Sequence, residues 1–177
     1  EKHLHINFSA NQEKAWKNIQ DLLVKHALAQ PQIFVHRDFH SRNLMLAEDT
    51  AKIGVIDFQD ALIGAVSYDV VSLLRDCYIA WSTEQQTQWL KYYYDQAICH
   101  GIFEQPFEDF YTNFDFTGMQ RHLKAIGIFA RLNYRDNKPD YLKDIPRTKQ
   151  YVLEVIAKHQ ATLPILAEFV TEFSDAF

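Results

Sequence analysis

Hydrophobic residues in the first part of the chain follow a helical spacing and then a strand-like one. Ser9 and Gln12 have the spacing of a helix capping box. Apolar residues follow at helical intervals, at Trp16, Ile19, Leu22, Leu23 and Ala27. Pro31 is expected to close this helix. The apolar run 33–35 then predicts a short strand that leads into the polar stretch 36–43.

A β-hairpin and a series of helices account for the rest of the pattern. Residues 44–46 and 52–57 predict the two strands of the hairpin, with a turn at Glu48 and Asp49. Helices are predicted at 68–81, from a Thr83 and Gln86 capping box to about Gly101, and at 116–134, 151–159 and 163–173. The expected fold class is therefore α+β and mainly helical, with a small hairpin, in a single domain over residues 1–177.

Composition and charge exclude several classes of protein. The hydrophobic fraction of 47% and the aromatic fraction of 14% favour a folded domain over a disordered chain. Eighteen basic and twenty-three acidic residues give a formal charge of -5, so no nucleic-acid or anionic-membrane partner is expected. No apolar run approaches the ~20 residues that span a bilayer, and no leader-like segment opens the chain. We expect a soluble, cytoplasmic protein.

The glycines and cysteines limit the kinds of phosphate binding and thiol chemistry expected of this chain. The five glycines include none before Gly54, and neither a P-loop nor a GxGxxG fingerprint is present. Any nucleotide chemistry must therefore use another phosphate cradle, or one that lies outside this chain. Cys77 and Cys99 form no CxxC pair and are expected to be buried free thiols. Because the chain starts at Glu1 rather than Met, we expect a fragment.

The polar loop and the hairpin carry the candidate chemistry. His36, Asp38 and Asn43 form an H-x-D-x-x-x-x-N pattern, and Asp57 follows fourteen residues after Asn43 within 56–58. Phosphoryl transfer requires a carboxylate that orients and deprotonates the acceptor hydroxyl, and oxygen ligands that hold Mg²⁺ on the phosphates. Asp38 suits the first task, and Asn43 with Asp57 suits the second, because the hairpin returns Asp57 to the loop. His36 is then expected to support the loop.

These motifs resemble the catalytic loop and the metal-binding Asp of the protein-kinase-like superfamily, in its aminoglycoside-phosphotransferase and choline-kinase branch. That branch has I-D-F/W followed by acidic or polar residues, as residues 56–60 do here, where protein kinases have Asp-Phe-Gly. The resemblance implies a kinase-like C-terminal lobe, ATP as co-substrate with Mg²⁺, Asp38 as the catalytic residue, and Asn43 and Asp57 as metal ligands. It also implies that Asp69, within 68–71, supports the catalytic loop from behind.

Longer stretches narrow the resemblance to one group of enzymes. Residues 30–45, 54–64 and 119–132 are similar to the bacterial anomeric sugar kinases that act on N-acetylmuramate and N-acetylglucosamine in cell-wall recycling. The likeness covers nearly the whole chain, but only the C-terminal lobe of such an enzyme. The nucleotide-covering lobe would precede Glu1. We therefore expect a catalytic half that turns over poorly alone, with a nucleotide and a small-molecule acceptor as its partners.

The sequence indicates which residues bind the phosphoryl acceptor less clearly than it indicates the catalytic and metal-binding residues. A basic cluster after Gly118 contains Arg121, His122, Lys124 and Arg131. This cluster is either a solvated helix face or an acceptor site, where a cationic side chain would bind a carboxylate such as the lactyl group of a muramic acid. His40, Arg42 and Asp60 lie close to the catalytic residues in sequence and are further candidates for acceptor contacts.

Three alternatives stay open at this point. Within the kinases, the acceptor is an aminoglycoside, choline or another small alcohol. Outside them, His36, Asp38 and His40 alternate as strand residues do and would share one face as ligands of a metal-dependent hydrolase. The third alternative is a non-catalytic binding domain with a kinase-like shape, against which the complete set of Asp38, Asn43 and Asp57 argues.

Overall fold

The computed structural model describes residues 7–46 and 52–161, together with Pro164, Ala167 and Glu168. Helices predominate, and the strands are short. The elements of this part of the chain are α1 (Ala10–Leu28), β1 (Gln32–Val35), β2 (Leu44–Leu46), β3 (Ile53–Val55), β4 (Leu62–Ala65), α2 (Tyr68–Leu74), α3 (Thr83–Cys99), α4 (Phe107–Asp136) and α5 (Ile145–Lys158). The prediction of a mainly helical α+β fold with a small hairpin is confirmed.

Helix α1 begins as the capping pattern predicts. Ser9 Oγ accepts a hydrogen bond from Gln12 N (3.3 Å), and Gln12 Oε1 accepts one from Ser9 N (2.7 Å). This reciprocal pair satisfies two main-chain N–H groups at the helix start. The helix buries Ile19 and Leu23 against α4 and α5, and it ends three residues before Pro31.

Two antiparallel sheets of two strands each are nested in the chain. β1 pairs with β4, and β2 pairs with β3. The predicted hairpin is therefore confirmed, whereas its turn at Glu48 and Asp49 lies outside the described residues. The sequence pattern does not predict β4, and its pairing with β1 is a second sheet beyond the single hairpin expected. Because the pairings are nested, the β1–β2 loop (36–43) and the β3–β4 loop (56–61) lie side by side.

Two predicted helix limits near α2 are wrong. Helix α2 ends at Leu74 rather than at residue 81, because Arg75 leaves the helical conformation (φ -116°, ψ 52°). The cap of α3 is formed by Ser82 and Gln85, one residue before the predicted pair Thr83 and Gln86. Ser82 has the extended main chain that an N-cap residue requires. The expected end of α3 near Gly101 is confirmed, since the helix ends at Cys99.

Helices α4 and α5 are longer than predicted. Helix α4 begins nine residues before the predicted start at 116, directly after Pro106, with Glu108 and Asp109 in its first turn. Acidic side chains are favourable there because they face the positive end of the helix dipole. Helix α5 begins at residue 145 rather than 151, and it accommodates Pro146 because first-turn N–H groups have no intrahelical partner. Most of the predicted helix 163–173 lies outside the described residues.

Helix α4 is the central element, because it contributes to both apolar clusters. One cluster joins it to α1 and α5 through Ile19, Leu23, Phe116, Met119, Val152, Val155 and Ile156. The other joins its first half to α2 and α3 through Val66, Val70, Val71, Leu74, Leu90, Ala97, Phe103, Phe110 and Phe114. A fully buried large apolar side chain stabilises a fold by roughly 1.5–3 kcal/mol, so the second cluster holds α2 firmly against α4.

A buried polar network fixes where α2 starts. Gln30 Nε2 donates to Thr117 Oγ1 (3.0 Å), and Ser67 Oγ donates to Gln30 Oε1 (2.6 Å). Gln30 precedes β1, Thr117 lies in α4, and Ser67 precedes α2. Buried polar groups stabilise one arrangement when their hydrogen bonds are satisfied. The network therefore ties the start of α2, and with it Asp69, to the body of the fold.

The structure also tests two further expectations, which concern the cysteines and membrane-spanning helices. Cys77 is half-buried and Cys99 is exposed, and both are free thiols. The expectation of free cysteines is confirmed, but the expected burial of Cys99 is wrong, because it lies on the solvent side of the last turn of α3. Within the described part of the chain, no helix is both long and apolar enough to cross a membrane.

Candidate active site

The β1–β2 loop contains the first candidate residues. Two turn hydrogen bonds close its main chain, from His40 N to Asp38 O (3.0 Å) and from Asn43 N to His40 O (2.9 Å). A 3-10 turn, Ser41–Asn43, then leads directly into β2. Asp38 is half-buried, so it belongs to a compact turn rather than to an open loop.

Asn43 connects this loop with the neighbouring one. Its side-chain Nδ2 donates to the main-chain carbonyl of Asp38 (2.9 Å) and lies 3.4 Å from Asp57 Oδ2. Its main-chain carbonyl accepts a hydrogen bond from Ile56 N (3.1 Å). The nested strand pairing therefore places Asp38, Asn43 and Asp57 together, although Asp57 is fourteen residues from Asn43 in sequence.

Asp57 has an unusual main-chain conformation. It follows β3 by two residues and has φ of 67°, in the left-handed region that non-glycine residues rarely occupy. Its Oδ1 accepts a hydrogen bond from Gln59 Nε2 (2.6 Å), while Oδ2 faces Asn43. Strained conformations of this kind persist where the surrounding structure holds them, and they are concentrated at functional sites.

Asn43 and Asp57 fit a nucleotide-borne magnesium ion. The pair offers an amide oxygen and a carboxylate, and Mg²⁺ usually takes one or two protein oxygens together with phosphate oxygens and waters. Gln59 orients the Asp57 carboxylate, as outer hydrogen bonds commonly do for metal ligands. In the part of the chain that the structure describes, no group of three His, Cys, Asp or Glu side chains could hold a metal. The hydrolase alternative, with His36, Asp38 and His40 as ligands, therefore has no structural support.

His36 and Asp69 lie behind the loop. Asp69, in the first turn of α2, accepts hydrogen bonds from His36 N (2.6 Å) and Arg37 N (3.0 Å). The His36 ring is buried, and its Nε2 lies 3.0 Å from the carbonyl of Ile56. Since a carbonyl only accepts, Nε2 carries the proton. One side chain of α2 thus holds two N–H groups at the start of the β1–β2 loop.

A further buried carboxylate, Asp76, was not found from the sequence. Its Oδ2 accepts a hydrogen bond from Ser41 N (2.8 Å), and its Oδ1 accepts one from Tyr78 N (2.7 Å). Its exposed fraction is 2%. No sequence signal identifies it, because apolar residues continue at helical spacing past Leu74 and predict a helix through Asp76. Asp69 and Asp76 therefore hold the first and the later part of the β1–β2 loop from a single segment of chain.

A cavity of about 180 Å³ opens beside Asp38. Four candidate residues line it, namely Asp38, His40, Arg121 and His122. Ser72 and the segment 75–78 form another wall, and Ala125, Ile128 and Phe129 of α4 provide an apolar end. The cavity therefore combines a carboxylate, several hydrogen-bonding groups and an apolar surface in a space suited to a small polar molecule.

Both histidines of the cavity are neutral near pH 7. Burial lowers the pKa of His122 to about 3, against the raising effect of its hydrogen bond to the carbonyl of Arg75 (3.0 Å). The ring also stacks on Tyr151, with 4.9 Å between the ring centres. Burial likewise lowers the pKa of His40, although the Asp76 and Asp38 carboxylates oppose that shift. His122 is therefore a buried neutral residue rather than part of a basic surface.

Arg42 and Asp60 are not among the residues that line the cavity. Arg42 is exposed, and its guanidinium lies over the Tyr78 ring, 3.5 Å from the ring centre. Burial raises the pKa of Tyr78 to about 12, and the charge of Arg42 opposes that shift. Asp60 is exposed, and its main-chain carbonyl accepts a hydrogen bond from Arg37 Nη1 (3.1 Å).

A buried ion network lies behind the cavity wall. Asp115 of α4 is fully buried and pairs with Arg75 Nη2 (2.6 Å), Lys158 Nζ (2.8 Å) and His159 Nε2 (2.7 Å). Gly118 passes close to this network, because a Cβ there would lie 3.2 Å from Arg75 Nη1. The network joins the end of α2 to α4 and to the end of α5. It therefore fixes the back of the cavity.

These features define a class of protein. A catalytic-type loop, a carboxylate on the adjoining hairpin and a mainly helical body form the C-terminal lobe of a kinase-like phosphotransferase. Sequence comparison gives the family: the model of the phosphotransferase enzyme family (APH) matches residues 2–106, which is more than half of the chain. The chain belongs to this phosphotransferase family, and the predicted resemblance is confirmed.

Three curated bacterial relatives carry the name N-acetylmuramate/N-acetylglucosamine kinase. The Pseudomonas aeruginosa protein is 46% identical over 168 residues, which cover 94% of this chain and 48% of the relative. The Pseudomonas putida protein is 43% identical over 172 residues (97% and 50%), and the Neisseria meningitidis protein is 42% identical over 175 residues (98% and 52%). The chain spans about half the length of the curated relatives it matches.

Proposed function

We propose that this chain is the catalytic and acceptor-binding lobe, residues 1–177, of a kinase that phosphorylates an amino sugar. The phosphoryl donor is ATP, and the acceptor is the anomeric hydroxyl of N-acetylmuramate or N-acetylglucosamine, in cell-wall recycling in the cytoplasm. One observation carries the proposal. Asn43 bonds to both Asp38 and Asp57 beside a cavity that Asp38 lines. The names of the curated relatives support the choice of acceptor.

Asp38 is the proposed catalytic residue. It lies on the cavity wall, where it orients the acceptor hydroxyl and takes its proton. The hydroxyl oxygen attacks the γ-phosphorus of ATP as the bond from that phosphorus to the β,γ-bridging oxygen breaks and ADP leaves. An anomeric hydroxyl is more acidic than an ordinary alcohol, so a strong base is not required. Most of the acceleration then comes from positioning the two reactants and from neutralising charge on the phosphoryl group.

Asn43 and Asp57 are the proposed magnesium ligands. A magnesium ion held by these two residues would neutralise negative charge on the phosphates of the nucleotide. Asn43 Nδ2 is engaged by the carbonyl of Asp38, which directs its Oδ1 away from the loop and makes the oxygen available to a cation. His36 and Asp69 support the loop through the main-chain contacts described above.

The cavity suits a sugar better than a cationic acceptor. His40 and His122 provide neutral imidazoles, Arg121 provides a cation, and the far end is apolar. Neutral hydrogen-bonding groups suit hydroxyls, an apolar surface suits an acetyl methyl, and the positive charge of Arg121 disfavours a cationic acceptor. Arg42 and Asp60 would contact only a part of the acceptor that projects beyond the cavity. Aminoglycosides, choline and other small alcohols are the competing acceptors.

The experiment uses the complete protein that contains this chain, with ATP, Mg²⁺ and either amino sugar, followed by phosphorus NMR. We expect a sugar 1-phosphate signal that disappears in Asp38→Asn. ADP formation only with a different alcohol would retain the phosphotransferase and reject the amino-sugar assignment. Absence of ATP consumption with every acceptor would overturn the proposal in favour of a non-catalytic binding domain.

A further inference from the structure

The residue before Asp38 has a strained main chain. Arg37 has φ of 78°, in the left-handed region where a side chain with a Cβ is disfavoured. This conformation sets the direction in which the chain leaves Arg37, and therefore where Asp38 lies. A conformation of this kind persists only if its surroundings hold it.

Two charged side chains hold the main chain of Arg37 from opposite ends. Its N–H donates to Asp69 Oδ1 (3.0 Å), and its carbonyl accepts from Arg121 Nη1 (2.8 Å). The carbonyl of Arg37 is part of the peptide unit that carries the N–H of Asp38. Arg121 therefore contacts the peptide group that joins the strained residue to the proposed catalytic residue.

Arg121 is itself held by α2. Its Nη2 donates to Ser72 Oγ (2.6 Å), and its guanidinium carbon lies 4.5 Å from the centre of the Tyr68 ring. Asp69, on the same helix, holds the other end of Arg37. A planar guanidinium has donors at fixed angles, so it can span a carbonyl and a hydroxyl in one orientation. The Arg121 head group is therefore fixed by three partners on two elements.

We propose that Arg121 is a positioning residue that locks the Arg37–Asp38 peptide so that Asp38 faces the acceptor. This inference rests on the proposed phosphotransferase function, and it replaces direct acceptor binding as the main role of Arg121. A misplacement of about 1 Å at a reacting group costs roughly a hundredfold in rate. The loss of Arg121 therefore affects the chemical step more than the binding of the acceptor.

The kinetic test compares Arg121→Met, Arg121→Lys and Arg135→Met in the complete protein that contains this chain. Arg135 is a matched control, because it is an exposed arginine on the same helix whose partner is the adjacent Asp136. In Arg121→Met we expect kcat to fall by about 10- to 100-fold, with the acceptor KM within about twofold of wild type. Arg121→Lys keeps the positive charge but has a single donor nitrogen, so it is expected to retain part of the wild-type kcat. Arg135→Met is expected to behave as wild type.

Hydrogen exchange provides a readout that does not depend on activity. Without Arg121 the strained loop opens more often, so the amides of His36 and Arg37 exchange faster in Arg121→Met than in Arg135→Met. If Arg121→Met does not fold, Ser72→Ala removes one anchor of the guanidinium, and a severalfold fall in kcat with faster exchange is expected there.

Three results would overturn the proposal. A raised acceptor KM with unchanged kcat would mean that Arg121 binds the acceptor directly. Unchanged kcat and KM in a folded Arg121→Met protein would show that Arg121 has no role in catalysis or in acceptor binding. Unchanged amide exchange at His36 and Arg37 would show that the loop does not need Arg121. If the wild-type protein phosphorylates no acceptor, the proposed function fails, and the exchange measurement still decides whether Arg121 holds the loop.

Discussion

The side-chain amide of Asn43 donates a hydrogen bond of 2.9 Å to the main-chain carbonyl of Asp38, five residues earlier in the chain. The same nitrogen lies 3.4 Å from the carboxylate of Asp57. One side chain therefore links the residue proposed to orient the acceptor with a residue proposed to hold magnesium. Asparagine can do this because its nitrogen donates while its oxygen stays available to a cation.

Asn43→Ala removes both the donor and the oxygen, and we expect kcat to fall by about 100-fold, as losses around metal ligands do. Asn43→Asp keeps an oxygen but has no donor for the carbonyl of Asp38, and it places a second negative charge beside Asp57. It is therefore expected to be impaired to a similar degree. The measurement is kcat in the complete protein that contains this chain, over a range of magnesium concentrations.

Asn18→Ala is the matched control for this change, because Asn18 is exposed on α1, away from the loop. It is expected to retain wild-type kcat. If Asn43→Ala kept kcat within about threefold of wild type at all magnesium concentrations, the link between Asp38 and Asp57 would have no catalytic importance.

Asp76→Asn is expected to loosen the second end of the catalytic loop. The carboxylate accepts from Ser41 N and Tyr78 N, and losing its charge weakens both hydrogen bonds, at a cost of about 1–3 kcal/mol in the free energy of unfolding. The Asp76 charge also raises the pKa of His40, against the larger effect of burial. The pKa of His40 is therefore expected to fall further in the variant.

A histidine NMR titration of the variant and of the wild-type protein measures this change in the pKa of His40 directly. An unchanged or raised pKa of His40 in Asp76→Asn would mean that the two side chains do not interact as the structure places them.

The parts of the fold that the sequence predicts are those that depend on local signals. The α1 cap involves residues three apart, and the β2–β3 hairpin is visible in two adjacent apolar runs. The end of α2 has no such signal, because apolar residues continue at helical spacing beyond Leu74. Helix α2 ends just before Asp76, which accepts hydrogen bonds from Ser41 N and Tyr78 N. Ser41 is thirty-five residues earlier in the chain.

The residues of the candidate site likewise fall into those that local spacing predicts and those that it does not. Asp38, Asn43 and Asp57 could be proposed from spacing, because a single loop and a hairpin bring them together. The contact of Arg121 with the carbonyl of Arg37 joins residues eighty-four apart, which no local pattern reveals. His122, next to it in sequence, points into the core rather than with the basic cluster. Helix packing, not composition, decides which side of α4 is buried.

Asp115→Asn is expected to be strongly destabilising. Asp115 is fully buried and pairs with Arg75, whose side chain is only 9% exposed. It also pairs with Lys158 and His159 at the C-terminal end of α5. Removing one partner of a buried ion pair leaves an uncompensated buried charge, and the free energy of unfolding is expected to fall by about 3–5 kcal/mol. Urea denaturation of the purified variant gives this value.

The control for this change is Asp95→Asn, which removes an exposed partner of Lys91 on α3 and is expected to have little effect. A loss below about 1 kcal/mol in Asp115→Asn would mean that Arg75 finds water or another acceptor when its partner is neutral.

His122→Gln is expected to remove part of the acid sensitivity of the fold. Burial depresses the pKa of His122 to about 3 in the folded protein, whereas an unperturbed histidine has a pKa of about 6.5. Below pH 6.5 the unfolded chain therefore binds a proton that the folded chain does not. The stability contributed by the neutral ring is complete above that pH and declines as pH falls toward 3, by at most about 1.4 kcal/mol per pH unit.

Glutamine keeps an N–H group for the carbonyl of Arg75 but does not titrate, so the free energy of unfolding of His122→Gln is expected to fall less steeply with acid than that of wild type. Urea denaturation at about pH 7 and about pH 5 measures the two slopes. Equal slopes for wild type and His122→Gln would show that the ring is protonated, or reached by water, in the folded protein.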